Sequence, residues 1–315
     1  SALALYTLTG SGYSTAGYTV ATDDTGAALS CTAGLSYASS SIPLISSIGT
    51  DGLFAVCVRL TDAAGNRLYA KSQQVTRNTA GPTFTSLAGA NSASDGYIND
   101  AEKATSTALW ALTASNYTSA DYTQALSDAS GTLACDASQT YDQAGIATAA
   151  TLAGDDSYSL CVKLTDGAGN ISYGKAAVII RDIVLPGFTS LNTANEASDG
   201  YIGDSEKASN LSIYTLVATG YSSADYTAAA NDAASALTCT AGLSYSNSTI
   251  PLISSITTDG TFALCVRLRD AAGNQTIAKS QPVIRKTTFP TFTSLALAND
   301  AADGFINDSE KAGST

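Results

Sequence analysis

The chain has 315 residues and a formal net charge of −12, and it contains neither His nor Met. The missing His excludes His-based acid–base catalysis and His-ligated metals, and we predict no enzymatic activity. The acidic balance argues against nucleic acid as a partner, because phosphate binding needs a basic face, and no apolar run approaches the roughly 18 residues of a membrane span.

The sequence repeats itself with a period of 104 residues and without insertions, as Cys31, Cys135 and Cys239 show. A fixed period of domain size predicts one folded unit followed by copies of itself, which favours a structural protein over an enzyme. Counting from the Pro that opens each copy predicts four segments. These are 1–81, which lacks the first strand of a repeat, the complete repeats 82–185 and 186–289, and 290–315, which holds the first strand and acidic loop of a following repeat.

The ends of these segments leave two interpretations open. The chain begins partway through a repeat, as expected for a segment of a longer repeat array whose export signal and anchor lie outside this segment. Alternatively, the strand in 290–315 completes the open repeat 1–81 of another molecule, as in donor-strand assembly.

The copy 82–185 shows the elements in chain order. PTFTSL at 82–87 opens with Pro, which is tolerated at the start of a strand. After the acidic loop DGYINDAEK come ALWALTAS at 108–115 and the shorter runs DYTQAL and TLACDAS. The clearest strand is YSLCVKLTD at 158–166, and the turn DGAGN then leads into ISYGKAAVIIR. Short strands spaced by about 8–12 residues, with few helix signals, predict an all-β, antiparallel sandwich.

The strand at 158–166 alternates between an apolar and a polar face. Its apolar residues are predicted to supply the core: Tyr158, Leu160, Val162 and Leu164. Cys161 shares the other face with Ser159 and Lys163. A disulfide at Cys161 is therefore expected to lie outside the core, where it staples neighbouring strands or pins a loop to the sheet.

The six cysteines form three pairs, each separated by 26 residues. One disulfide in each repeat is predicted, which indicates an oxidising, extracytoplasmic location. The predicted pairs are Cys31–Cys57, Cys135–Cys161 and Cys239–Cys265. Free structural thiols or half of a metal site are the alternatives, and zinc is disfavoured because no repeat offers a third Cys or any His.

The loop 91–102 carries hard oxygen ligands, which suit calcium better than a softer metal. Its spacing resembles that of an EF-hand, but Ala93 stands at a ligand position and no helix precedes the loop, so an EF-hand is not predicted. The candidate ligands of the three copies are Asp95, Asn99, Asp100 and Glu102, then Asp199, Asp204 and Glu206, and finally Asp303, Asp308 and Glu310. The alternative is an acidic surface turn in which Asp-Gly only makes the bend.

The turn DAAGN or DGAGN is explained first as a tight hairpin connection, because Asp begins it and Gly takes the left-handed position. Strand parity places this turn at one end of its repeat and the acidic loop at the other end. We therefore expect Asp95, Asp100 and Glu102 to face Asp270 and Asn274 of the next copy. A cation would neutralise these carboxylates, which otherwise repel one another.

At these residues the sequence resembles the bacterial Ig-like extender repeats of giant calcium-dependent surface adhesins, of the RTX and biofilm-associated type. The resemblance lies in the loop Asp95-Gly-Tyr-Ile98-Asn99-Asp-Ala-Glu102 and in the turn Asp166-Gly-Ala-Gly-Asn170, and it covers every repeat. It implies Ig-like β-sandwiches in a linear array, calcium at the linkers, and a role as a stalk or filament. The disulfide departs from that family, in which Cys is rare.

The sequence therefore predicts an extracellular stalk or filament at the cell surface, made of tandem Ig-like repeats and stiffened by calcium and by one disulfide per repeat. Its partners would be neighbouring repeats. The alternative is an adhesive module that holds glycan or protein of another cell on a repeated Tyr, Ser and Thr face. The recurring tyrosines are Tyr13, Tyr18, Tyr117, Tyr122, Tyr221 and Tyr226. The simpler explanation of this recurrence is that half of them belong to the core.

Overall fold

The computed structural model describes residues 3–298, 301–302 and 304–311. The chain divides into two compact units, Ser1–Ile183 and Val184–Thr315. Both are built from short β-strands and 3-10 turns, and the described α-helix, α1 (Asp308–Lys311), has four residues.

The strands of the first unit follow one another in two sets. The set within 15–77 consists of β1 (Thr15–Tyr18), β2 (Thr22–Asp23), β3 (Gly52–Ala55), β4 (Cys57–Thr61), β5 (Arg67–Lys71) and β6 (Val75–Arg77). The set within 83–181 consists of β7 (Thr83–Gly89), β8 (Tyr97–Ile98), β9 (Trp110–Ser115), β10 (Ser119–Tyr122), β11 (Leu126–Ser127), β12 (Asp156–Ser159), β13 (Cys161–Thr165), β14 (Ile171–Lys175) and β15 (Ile179–Arg181). The 3-10 turns are Thr25–Ala27, Ile45–Ser47, Asn91–Ala93 and Ala149–Thr151.

The second unit repeats the pattern of the second set. Its strands are β16 (Gly187–Thr193), β17 (Tyr201–Ile202), β18 (Tyr214–Thr219), β19 (Ser223–Tyr226), β20 (Ala230–Asn231), β21 (Gly260–Ala263), β22 (Cys265–Arg269), β23 (Gln275–Lys279) and β24 (Val283–Arg285). Its 3-10 turns are Asn195–Ala197, Ala233–Ser235 and Ile253–Ser255.

Strand pairing within 83–181 forms two layers. In one layer β7 pairs antiparallel with β9, and Leu87 lies opposite Leu112. The other layer contains the sheets β10-β13-β14 and β11-β12-β15-β8. All of these pairs are antiparallel except β15 and β8, which run parallel with Ile180 opposite Tyr97. The second unit has the same strand orders, and the predicted all-β sandwich is thereby confirmed.

The strand expected over 158–166 is divided at Leu160 into β12 and β13, which corrects the sequence prediction. At this break side-chain hydroxyls replace part of the backbone ladder. The Cys161 N–H donates to Thr123 Oγ1 at 3.0 Å, and the Ser159 hydroxyl donates to the Ala176 carbonyl. The same threonine contact recurs at 3.0 Å in the other copies. The hydroxyls satisfy backbone groups that would otherwise be buried without a partner.

Burial follows the predicted alternation only in the C-terminal part of the strand, because Ser159 and Cys161 on the predicted polar face are also fully buried. Leu160, Val162 and Leu164 are fully buried and Tyr158 is nearly so, whereas Lys163 on the other face is half-buried. These side chains pack with Leu87 and others from the facing layer into one core cluster. The second unit has an equivalent cluster built around Leu191, Ile213, Leu264 and Leu268.

All three predicted disulfides are present, and their Cα–Cα distances are 5.4, 5.3 and 5.5 Å. Cys161 is buried on β13, whereas Cys135 is half-buried in the loop after β11. Of the two predicted arrangements, the bridge therefore has the one that pins a loop to the sheet, and its sulfurs are not part of the core cluster. The same loop brings Tyr141 to 5.4 Å from Tyr173, measured between ring centroids, and Lys163 lies over the Tyr141 ring.

Two segments with the sequence of paired strands are unpaired. Residues 6–11 align with β9, and 290–298 align with β7, but neither forms a strand with any described residue. An isolated segment of this length gains no ladder hydrogen bonds, so its strand propensity alone does not order it. The first strand predicted within 290–315 is therefore absent from the described structure.

Candidate functional site

The acidic loop between β7 and β9 is held by hydrogen bonds within itself. Asp95 Oδ1 accepts the Tyr97 N–H at 3.0 Å, which closes the Asp-Gly bend, and Gly96 has a φ of +89°. Asn99 Oδ1 accepts the Ala101 N–H at 3.0 Å. Glu102 Oε2 reaches back to the Asn99 N–H at 3.1 Å. The loop is thus held by side-chain oxygens that accept hydrogen bonds from its own backbone N–H groups.

The remaining acidic groups of this loop type have local partners. Asp100 pairs with Lys103 at 2.6 Å. In the second unit Asp199 caps the Tyr201 N–H, and Glu206 accepts the Gly203 N–H at 2.7 Å. Asp204 pairs there with Lys207. Of the third copy, Asp308 lies in α1, the side chain of Glu310 is not described, and Asp303 lies outside the described residues.

The parity argument is supported within the repeat 82–185. The Asp182 N–H donates to the Ile98 carbonyl at 3.0 Å, so the acidic loop lies beside the residue that follows the last strand. Lys286 makes the same contact with Ile202 in the second unit. The acidic loop therefore occupies the C-terminal end of its repeat.

The turn between β13 and β14 lies at the opposite end. Asp166 Oδ1 accepts the N–H groups of Ala168 and Asn170 at 2.9 and 2.8 Å, and its Oδ2 accepts the Asn170 side-chain amide at 2.8 Å. These bonds, the amide of Asn170 first, hold the pKa of Asp166 below its ordinary value, although burial opposes the shift. In the second unit Asp270 and Asn274 form the same turn. The hairpin explanation of the motif is confirmed.

A residue that the sequence analysis missed, Asn78, joins this turn to the preceding segment. The Asn78 side-chain amide donates to Asp166 Oδ2 at 2.9 Å, and the Asn170 side-chain amide donates to the Asn78 carbonyl at 3.0 Å. The period aligns Asn78 with Asp182 and Lys286, three residues of different charge. Because the repeat is otherwise regular, this variation in charge was the sequence signal that could have identified the position.

The donor set suits calcium chemically, because it consists of carboxylate and amide oxygens only. Within the described residues, however, no three or more acidic groups lie close enough together to hold a metal ion. Asp95, Asp100 and Glu102 each bond a different part of their own loop.

The recurring tyrosines divide into two classes. Tyr18, Tyr122 and Tyr226 are buried, whereas Tyr13, Tyr117 and Tyr221 are exposed at the corresponding positions of the three copies. Half of the set therefore belongs to the interior, and the other half leaves one aromatic ring per copy at the surface.

Comparison with known proteins gives matches among solved structures alone, since no protein-family model and no curated protein matches the chain. A Ca²⁺-stabilized adhesin that helps an Antarctic bacterium reach out and bind ice aligns at 21% identity and a TM-score of 0.37, over 83% of this chain and 63% of that one. A 1.5-MDa bacterial ice-binding adhesin aligns at 20% identity and 0.36, over 75% and 74%. Drosophila N-cadherin EC1-4 aligns at 16% identity and 0.31, over 86% and 66%. The fold assignment rests on the strand pairing described above.

Proposed function

We propose that the chain is part of an extracellular stalk or filament, in which tandem Ig-like repeats of 104 residues, with complete copies at 82–185 and 186–289, act as spacers. The observation that carries this proposal is the reciprocal pair of hydrogen bonds between Asn78 and the turn Asp166–Asn170. These bonds hold the segment that follows the last strand of one repeat against the turn of the next repeat, and no long linker separates the two. A chain built in this way holds its ends apart as a spacer and does not enclose a substrate.

The disulfides support the extracellular part of the proposal. Each of the three copies has one bridge at the same position, and structural disulfides persist in oxidising compartments. Within the described residues no helix is long and apolar enough to cross a membrane.

Calcium is proposed as the ion that stiffens the junctions. Asp95, Asp100 and Glu102 share the end of their repeat with Asp182, which follows the last strand and bonds the same loop. Neighbouring carboxylates repel by about 1 kcal/mol per pair at 4 Å in water, and a bound calcium ion would supply the neutralising charge. The sequence adds Asp270 and Asn274 of the next copy as candidate ligands.

Small-angle scattering and titration calorimetry of the full chain test this proposal. Calcium should bind, and chelation should widen the distribution of maximum dimensions while every repeat stays folded on its own core and disulfide. Glu102→Gln should lower the calorimetric stoichiometry. Asp136→Asn is the matched control, because Asp136 lies in the disulfide loop and should leave binding unchanged. Equal dimensions with and without chelator, together with no heat of binding, would refute a calcium junction.

A second candidate function is favoured by the exposed tyrosines. Tyr13, Tyr117 and Tyr221 offer one ring per copy to a sugar face or to a protein surface, and aromatic rings with a polar tip are typical of contact surfaces. Binding to a glycan array that is lost in the triple Tyr→Ala variant would support adhesion. No binding by the wild-type chain would leave the spacer function alone.

A further inference from the structure

The face of the sheet β1-β4-β5 that points away from the core carries two arginines without carboxylate partners. Strand pairing places Arg59 of β4 opposite Gly17 of β1 and opposite Tyr69 of β5. Arg67 lies two residues from Tyr69 on β5 and therefore shares its face. Neither arginine forms an ion pair or a hydrogen bond with any described residue, and Arg59 Nε is buried without a partner. The face thus offers two guanidinium groups to an anion.

The cation at the position of Arg59 is neutralised in the other two copies. Asp225 stands where the segment 1–81 has Gly17, and it pairs with Arg267 at 3.1 Å. Asp121 occupies the same position in the repeat 82–185 and pairs with a lysine at 3.2 Å. Gly17 has no side chain, and Arg59 Nη2 lies 3.5 Å from the place where a Cβ would stand. The segment 1–81 has therefore kept the cation and lost its carboxylate.

The second arginine is also particular to the segment 1–81. Ile171 and Gln275 stand at the position of Arg67 in the other copies. Ile171 is 50% exposed in a copy whose preceding segment is in place, so this position of the repeat faces solvent. Lys71, on the same face, is neutralised by Asp24 at 3.1 Å. Because the chain as a whole has a net charge of −12, a face with two unpaired cations is a local reversal of its charge.

Two tyrosine rings lie beside the cations. Tyr37 of the disulfide loop and Tyr69 have ring centroids 5.4 Å apart, and the Arg59 guanidinium lies 5.4 Å from the centroid of the Tyr37 ring. Tyr37 is buried, and its hydroxyl donates to the Thr32 carbonyl. Tyr69 is half-buried, and its hydroxyl bonds to no described residue. Tyr69 thus adds an aromatic surface and a free hydroxyl to the two guanidinium groups.

We propose that the patch formed by Arg59, Arg67 and Tyr69 binds an acidic oligosaccharide, whose sugar carboxylates pair with the two guanidinium groups. A carboxylate is the partner of this cation in the other copies, as Asp225 shows, and the planar guanidinium group matches a carboxylate with two parallel hydrogen bonds. A sugar ring combines hydroxyls with an apolar C–H face, which suits the ring and the hydroxyl of Tyr69. An acidic peptide has the carboxylates but lacks that face.

This site goes beyond the proposed spacer, since a spacer requires no ligand. It also gives the copies different roles. The segment 1–81 binds the oligosaccharide, whereas the repeats 82–185 and 186–289 have a carboxylate on the corresponding cation. Binding at this site needs no calcium, so it can be measured apart from the junctions.

Titration calorimetry and ligand-detected NMR of the full chain with trigalacturonate, in calcium-free buffer of low ionic strength, test the site. The wild-type chain should bind, and binding should weaken as salt screens the exposed charges. Arg67→Gln should weaken binding about 10-fold, and Gly17→Asp, which restores the carboxylate of the other copies, about 10- to 100-fold. Arg77→Gln is the matched control, because Arg77 already pairs with Asp51 at 2.7 Å and should leave binding unchanged.

Thermal denaturation should show that both variants stay folded, because Arg67 is exposed and Asp occupies the position of Gly17 in the other copies. If Gly17→Asp nevertheless unfolds, Arg67→Gln decides the question. Neutral maltotriose and a triaspartate peptide should each bind about 10-fold more weakly than trigalacturonate. No binding by the wild-type chain, or equal weakening by Arg77→Gln, would overturn the proposal. Equal binding of maltotriose would contradict the role of the carboxylates, and equal binding of the peptide would contradict the role of the sugar ring.

Discussion

At the scale of single residues, the strand break at Leu160 depends on hydroxyl groups whose role the sequence did not reveal. The alternation of Leu160, Val162 and Leu164 with Lys163 predicted which face is buried, because burial follows the two-residue period of a strand. Thr123 gave no such signal. Its contact with Cys161 joins positions 38 residues apart, and only the folded pairing brings them together.

Replacing Thr123 by Val should therefore destabilise the repeat 82–185. The Cys161 N–H would be buried without an acceptor, at a cost of about 1–3 kcal/mol. Chemical denaturation measures the change in free energy of unfolding. Thr140→Val is the control, because Thr140 is exposed, and a similar loss in both variants would contradict the assigned role of Thr123.

The ion pair between Asp128 and Lys175, at 2.7 Å, should make stability depend on acid pH. Lys175 lowers the pKa of the buried Asp128, burial opposes this, and the Leu133 N–H adds to the lowering. A carboxyl whose pKa is lower in the folded state binds protons more tightly when unfolded, so its stabilising effect is present above about pH 4 and is lost as the pH falls further. Melting temperatures of wild type and Asp128→Asn should converge below that pH. If the two melting temperatures instead differ by the same amount at every pH, the ion pair does not contribute to the pH dependence of stability.

At the scale of elements, the strands and disulfides could be predicted from the repeat. The conformation of the loop that carries Cys135 could not. Equal spacing identified the pairs, and the face shared by Cys161 and Lys163 put the bridge outside the core cluster. Residues 133–147 have no clear period of two, so the sequence could not tell a neighbouring strand from a pinned loop. Strand parity located the acidic loop at the correct end of its repeat, but the direction of each carboxylate depends on hydrogen bonds within the loop.

Leu160→Ala should destabilise the repeat by about 2–5 kcal/mol, because a fully buried side chain is truncated at the meeting point of β12 and β13. Lys163→Ala should cost less than about 1 kcal/mol, since its pair with Asp121 at 3.2 Å is partly solvated. Denaturation of both variants gives the comparison. Equal losses would mean that the strand faces are wrongly assigned.

Removing the bridge with Cys135→Ser and Cys161→Ser should lower stability by about 3.5 kcal/mol, the chain-entropy estimate for a loop of 26 residues. Because the bridge ties a loop and not the core, the core should stay folded at room temperature. Near-UV circular dichroism and thermal denaturation together test both statements. A variant without near-UV signal would assign the bridge to the core.

At the scale of the whole molecule, the period predicted tandem copies, and their ends carry the contacts of functional interest. Asn78, Asp182 and Lys286 occupy one position of the repeat with three different charges. No pattern within one copy could identify this position, because its partners Asp166 and Asn170 belong to the following copy.

The two equivalent turns of the first unit provide a matched test of that junction. Asn170→Ala removes the bond to the Asn78 carbonyl as well as the bond to Asp166, whereas Asn66→Ala removes only the bond within its own turn, to Asp62. Scattering should show a wider range of dimensions for Asn170→Ala than for Asn66→Ala. Identical profiles would show that the Asn78 contact does not restrain the junction.

The parallel pairing of β8 with β15 also determines how a repeat responds to tension. β8 lies near the start of the repeat and β15 at its end, and the bonds from Ile180 N–H to Gly96 and from Asp182 N–H to Ile98 run across the two strands. A pull on the two ends in opposite directions slides these strands past each other and loads the bonds together rather than one after another. The disulfide then limits how far an opened repeat can lengthen, because the residues between Cys135 and Cys161 cannot be drawn out.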